Sequence, residues 1–116
     1  MIIGVGTDIV CIKRVNPQNA AKILSKQELE RYEHFTSPTR KQEFLAGRWA
    51  AKEALTKACT ALMGPYDFNT ITIARDETGK PLIETPLIPG HQIMLSLSHE
   101  REYAIAIVII ETKNEP

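Results

Sequence analysis

From Pro38 to Leu62 the chain has no glycine or proline after its first residue except Gly47. Phe44, Ala51, Leu55, Ala58 and Leu62 recur there at spacings of seven, four, three and four, which is one face of a helix. Ser37-Pro38 is a start signal and Met63-Gly64-Pro65 a stop. This is the longest helix the sequence predicts, and the remaining elements must pack around it.

The flanking segments read differently. Residues 2–10 form a β-branched strand in which Gly4 and Gly6 allow another backbone to come close. Asn16-Pro17 starts a short helix reaching Leu24, and Ser25-Lys26-Gln27-Glu28 is a capping box for a second covering residues 29–34. In the second half, residues 70–75 alternate like a half-buried strand, and 76–81 turn into a short strand at 82–84. After a loop at 85–90, strands at 92–98 and 103–111 are joined by His99-Glu100-Arg101-Glu102. The last is nearly all apolar, which predicts a central strand buried on both faces. Residues 112–116 are expected to fray. The expected fold is α+β: one long helix and short helices on an antiparallel sheet, in one domain over 1–116.

Composition removes several functions. Fourteen basic and fourteen acidic residues give a net charge of +0, which argues against a nucleic-acid binder. Cys11 and Cys59 have no short spacing, so neither a zinc site nor a disulfide framework is expected, only two reduced thiols. The apolar run 103–110 is too short to span a bilayer, and Met1-Ile2-Ile3 is no basic leader, so the expectation is a cytoplasmic protein without a membrane partner. Gly4-Val5-Gly6 lacks the third glycine of a dinucleotide-binding loop, and no helix follows directly. No Ser, His and acid set suggests a hydrolase triad. His34 and His91 receive no role.

Two carboxylates remain, Asp8 within the first strand and Glu53 in the long helix, both in mostly uncharged company. Carboxylates in apolar surroundings are costly unless paired or bound to a cation. Glu53 and Lys57 are spaced i, i+4 beside Ala46, Trp49 and Ala50, and Arg48, Lys52 and Lys57 form a basic ridge. Carboxylates beside basic residues suggest a divalent metal next to a phosphate, the equipment of phosphoryl transfer. Ser96-Leu97-Ser98-His99 ends a strand, where a histidine can meet an anion.

These segments resemble one family closely. Gly4-Val5-Gly6-Thr7-Asp8-Ile9-Val10 with Arg14 is similar to the first motif of the holo-[acyl-carrier-protein] synthases. The stretch Phe44-Leu45-Ala46-Gly47-Arg48-Trp49-Ala50-Ala51-Lys52-Glu53-Ala54-Leu55-Thr56-Lys57-Ala58 is similar to the second and more diagnostic one. Gly79-Lys80-Pro81 and Leu95-Ser96-Leu97-Ser98-His99, followed by Tyr103-Ala104, resemble the rest. The resemblance implies transfer of 4′-phosphopantetheine from coenzyme A to a serine of apo acyl carrier protein, releasing adenosine 3′,5′-bisphosphate. It implies magnesium, with manganese able to substitute, on Asp8 and Glu53. Lys57 would add positive charge, and either Glu53 or a water would take the serine proton. Arg48, Lys52, Lys57, Gly79, Lys80, Ser98 and His99 would bind coenzyme A. Arg14, Lys13, Lys22 and Lys26 would meet the acidic carrier protein. The active unit would be a homotrimer with sites at subunit interfaces, Asp8 and Glu53 from one chain and His99 from the next. Thr78 stands where Asn is common and Glu100 where Ser or Thr is frequent, and the region 59–69 is short. A non-catalytic binding module and a structural subunit are the competing readings.

Overall fold

A computed structural model describes residues 1–63, 66–85 and 88–113, leaving aside the side chains of 60–63 and 85. Strand β1 (Ile2–Cys11) leads through a 3-10 turn (Ile12–Arg14) and another (Pro17–Asn19) into α1 (Ala20–Ile23), α2 (Lys26–His34) and the long α3 (Pro38–Met63). A 3-10 turn (Phe68–Thr70) then precedes β2 (Thr72–Arg75), β3 (Pro81–Thr85), β4 (His91–His99) and β5 (Tyr103–Thr112). β1, β5 and β4 form an antiparallel sheet with β5 central, and β2 pairs antiparallel with β3. The expected α+β arrangement is the observed one.

Local signals act as read. Asn16 Oδ1 accepts from Gln18 N–H, and Ser25 and Glu28 complete a reciprocal capping box. Ser37 Oγ accepts from Arg40 N–H at the start of α3. The side chain of Leu62 and the stop at Gly64-Pro65 lie outside the described residues, as do the segments 86–87 and 114–116. The strand expected over 70–75 is shorter, because Thr70 belongs to the 3-10 turn and Ile71, fully buried, precedes β2.

α3 crosses β1 at very short range. A Cβ on Gly4 would stand 2.1 Å from Ala58 O, and one on Gly6 1.9 Å from Ala54 O. Side chains alternate along a strand, so Asp8 shares the face of Gly4 and Gly6 and points towards α3. One core lies between α3 and the sheet, formed by Ala51, Leu55, Leu95, Ala106, Val108 and Ile110 among others. A second joins Ile12, Val15, Ile23, Leu24, Phe44 and Leu45 beneath the short helices. α3 is therefore enclosed on two sides, and Arg48 and Lys52 are buried with it.

β5 is central, as predicted, but only one of its faces is covered. Ala104, Ala106, Val108 and Ile110 are buried, while Ile105 and Ile107 on the other face are 46% and 40% exposed. Ile9 and Val5 on β1 extend this open apolar face, with Ile9 opposite Ile105 and Val5 opposite Ile109. The prediction of burial on both faces fails because, among the described residues, no second layer covers that side of the sheet.

Candidate active site

The close crossing of α3 over β1 brings together residues separated by 45 positions. Asp8 and Glu53 line one concavity with Ile9, Val10, Arg14 and Trp49. Lys57, one turn beyond Glu53, reaches back to β1: its Nζ donates to Asp8 Oδ1 and to Thr7 O, both at 3.1 Å. The Asp8 side chain is 17% exposed and that of Lys57 55%. Arg14 stands at the same concavity and is exposed, as are Lys13, Lys22 and Lys26 on the neighbouring turns and helices.

Among the described residues no three His, Cys, Asp or Glu side chains gather as a metal-holding group. Two carboxylates on one cleft suit an ion that completes its shell with water and substrate phosphate oxygens, which is how magnesium is usually held.

A second cavity takes up Arg48, Gly79, Ser98 and His99, all expected from the sequence, and adds Arg40, Glu43 and Arg75, which were not. Its rim is strongly basic, suited to an anion. Glu43 lies 4.0 Å from Arg40 Nε and 3.9 Å from His99 Nδ1. Arg48 and Glu53 are five positions apart on α3, about 140° around its axis, so the two cavities open in different directions.

Three expectations are corrected. Lys52 lies fully buried, and its Nζ donates to Glu28 Oε1 at 2.5 Å, Ile23 O at 2.7 Å and Phe68 O at 3.0 Å, so it has no free donor for coenzyme A. The basic ridge is therefore not a face: Arg48 and Lys52 point into the interior, and only Lys57 is solvated. Lys80 does not line the cavity that holds Gly79 and Pro81; it lies beside Met94 and Ser96 on the outer side of the sheet. Arg48 and His99 share their cavity within one chain.

The residue that sequence reading missed is Glu28. It appeared only as the capping-box partner of Ser25, yet its side chain is buried and joins three elements. Oε1 accepts from Ser25 N–H and Lys52, and Oε2 accepts from Ile73 N–H on β2 and lies 3.7 Å from Arg48 Nε. Burial outweighs the opposing pull of Glu28 at both cations, leaving the pKa of Arg48 lowered to about 10 and that of Lys52 below the usual lysine range. The two departures from the motif are turn caps. Thr78 donates its N–H and its hydroxyl to Asp76 Oδ1, which also accepts Lys80 N–H. Glu100 Oε1 accepts from Glu102 and Tyr103 N–H, so its carboxylate serves the β4–β5 turn.

Residues 4–108 match the model of the 4′-phosphopantetheinyl transferase superfamily. A holo-[acyl-carrier-protein] synthase of Clostridium novyi is 41% identical, over 98% of this chain and 91% of that one. One from Bacillus subtilis is also 41% identical, over 96% and 97%. The crystal structure of a holo-(acyl-carrier-protein) synthase from Bacillus anthracis in complex with CoA (3′,5′-ADP) superposes with a TM-score of 0.84 at 34% identity, covering 97% of this chain and 99% of that one.

Proposed function

The chain belongs to the 4′-phosphopantetheinyl transferase superfamily, and we propose that it is a single-domain enzyme moving 4′-phosphopantetheine from coenzyme A to a serine of apo acyl carrier protein. The observation that carries this reading is the shared concavity of Asp8 and Glu53, with Lys57 at Asp8 and Arg14 at its mouth.

In the reaction the serine oxygen attacks the phosphorus of the phosphopantetheine end. The bond to the second phosphate breaks, and adenosine 3′,5′-bisphosphate leaves. Glu53, directly or through a water, takes the serine proton. Lys57 sets positive charge beside the carboxylates, where charge builds on the pyrophosphate. Asp8 and Glu53 would hold magnesium, or manganese in its place, and such an ion neutralises pyrophosphate charge when bound. Arg48, Ser98 and His99 line the basic cavity that suits the nucleotide end, with Gly79 shaping its wall. The cytoplasm, where coenzyme A and reduced thiols occur together, is the compartment this reading requires.

Incubating the protein with coenzyme A, magnesium and an apo carrier protein tests the proposal. Intact mass of the carrier is expected to rise by one phosphopantetheine group, only when magnesium is present. A carrier of unchanged mass despite a bound metal would leave a binding module as the reading.

Arg14→Glu is expected to raise KM for the carrier protein and to flatten its salt dependence, leaving coenzyme A binding unchanged. Arg14 at the cleft, with exposed Lys13, Lys22 and Lys26 on the turns and helices that follow β1, gives a neutral chain a local attraction for an acidic partner. A normal carrier-protein KM at low salt would remove Arg14 from the interface.

The active unit is proposed to be a homotrimer with sites at subunit interfaces. Support comes from the open apolar face of β1 and β5, since contiguous exposed apolar surface of this kind marks contact surfaces. It also comes from the two cavities facing different ways, because a neighbour can set its His99 cavity against the Asp8–Glu53 cleft. Mixing Asp8→Ala with His99→Ala protein is then expected to restore part of the activity after subunit exchange. Exchange without recovery, or a monomer on sedimentation, would defeat the shared site.

A further inference from the structure

We propose that Glu28 is a positioning residue for coenzyme A binding, acting through Arg48; the inference rests on the reading of the basic cavity given above. Arg48 is 3% exposed, yet it lines that cavity, and its Nε has no hydrogen-bond partner. Three contacts fix its guanidinium. Phe44 stacks against it with the centroid at 4.4 Å, Ile73 O accepts from Nη2 at 3.4 Å, and Glu28 Oε2 lies 3.7 Å from Nε. The same Glu28 oxygen accepts Ile73 N–H at 3.0 Å, so one carboxylate sets both the arginine and the strand whose carbonyl holds it.

The charge balance points the same way. One buried carboxylate faces two buried cations, Arg48 and Lys52, so the cluster carries one excess positive charge. Arg75 adds another at the cavity wall. Lys52 uses its three donors inside the protein, which leaves Arg48 as the cation of the cluster that an entering phosphate can meet. A fork of guanidinium donors binds a phosphate strongly only when its plane is aimed, and Glu28 supplies that aim.

Glu28→Gln keeps the size and the acceptor oxygen of the side chain but removes its charge. Lys52, left in the interior without a counter-ion, then favours its neutral form. The cluster keeps its single excess positive charge, and what changes is the hold on Arg48. Titration with adenosine 3′,5′-bisphosphate is expected to show a Kd raised roughly tenfold or more, the size of one charge-assisted contact. KM for the carrier protein stays unchanged, a split that general loosening of the fold would not produce. Glu28→Asp, which keeps the charge, is expected to recover part of the affinity. A measurement on the unaltered protein covers the case in which Glu28→Gln does not fold: the Arg48 Nε–H resonance should be protected from exchange and shift when the bisphosphate is added. An unmoved Arg48 resonance, or a folded Glu28→Gln protein with wild-type or tighter affinity, would overturn the inference alone. Wild-type protein that bound no bisphosphate would overturn the coenzyme A reading and this inference with it.

Discussion

Asp8→Ala and Glu53→Ala are each expected to lower phosphopantetheine transfer by roughly 10²–10⁴-fold, the range lost with a proton-transfer or charge-stabilising group. Both proteins should remain folded. Asp8 is at the edge of a cleft, and its partner Lys57 is exposed enough for water to replace the ion pair, so the stability change should stay below about 1 kcal/mol. The two variants should differ in their response to magnesium. A lost ligand lowers metal affinity before it removes chemistry, so excess magnesium should restore Asp8→Ala in part. Glu53→Ala should recover less if Glu53 also takes the serine proton, and equally if a water does. Near-normal turnover of either variant at saturating magnesium would show that the pair does not form the metal site.

The meeting of Asp8 and Glu53 in one concavity was legible because its signals are local. Asp8 is unusual inside a strand, Glu53 sits in a motif with Lys57, and Gly4 and Gly6 allow another backbone to come close, which proves to be that of α3 at Ala54 and Ala58. The capping box at Ser25 and the turn at Asp76 were legible for the same reason, since their partners lie within four residues. What could not be read depends on contacts far apart in sequence. Lys52 looks like any solvated lysine on a helix until α1, α2 and the turn at Phe68 close over it. Glu28 looks like a cap until Ile73, 45 positions later, presents its N–H. The sequence of β5 shows that both faces are apolar, but which of them the fold leaves open depends on where α3 packs.

Lys52→Met is expected to destabilise the protein by about 3–5 kcal/mol, the cost of breaking a buried ion pair from one side. Glu28 would keep its charge in the interior with Arg48 3.7 Å away as its remaining cation, and Ile23 O and Phe68 O would lose their donor. Lys57→Met, five positions along the same helix, should change stability by no more than about 1 kcal/mol, because that ammonium is half exposed. Its loss should appear in turnover instead. On these outcomes two lysines of one motif would separate cleanly, one acting on stability and the other on turnover. Denaturant midpoints at matched protein concentration would measure the contrast, since assembly adds its own stability. Adding Glu28→Leu to Lys52→Met should recover only part of the loss. The stranded charge is gone, but the N–H groups of Ser25 and Ile73 then lack their acceptor. A Lys52→Met midpoint within 1 kcal/mol of wild type would mean that the cluster is dispensable to the fold, and that α3 is held in place by its apolar contacts alone.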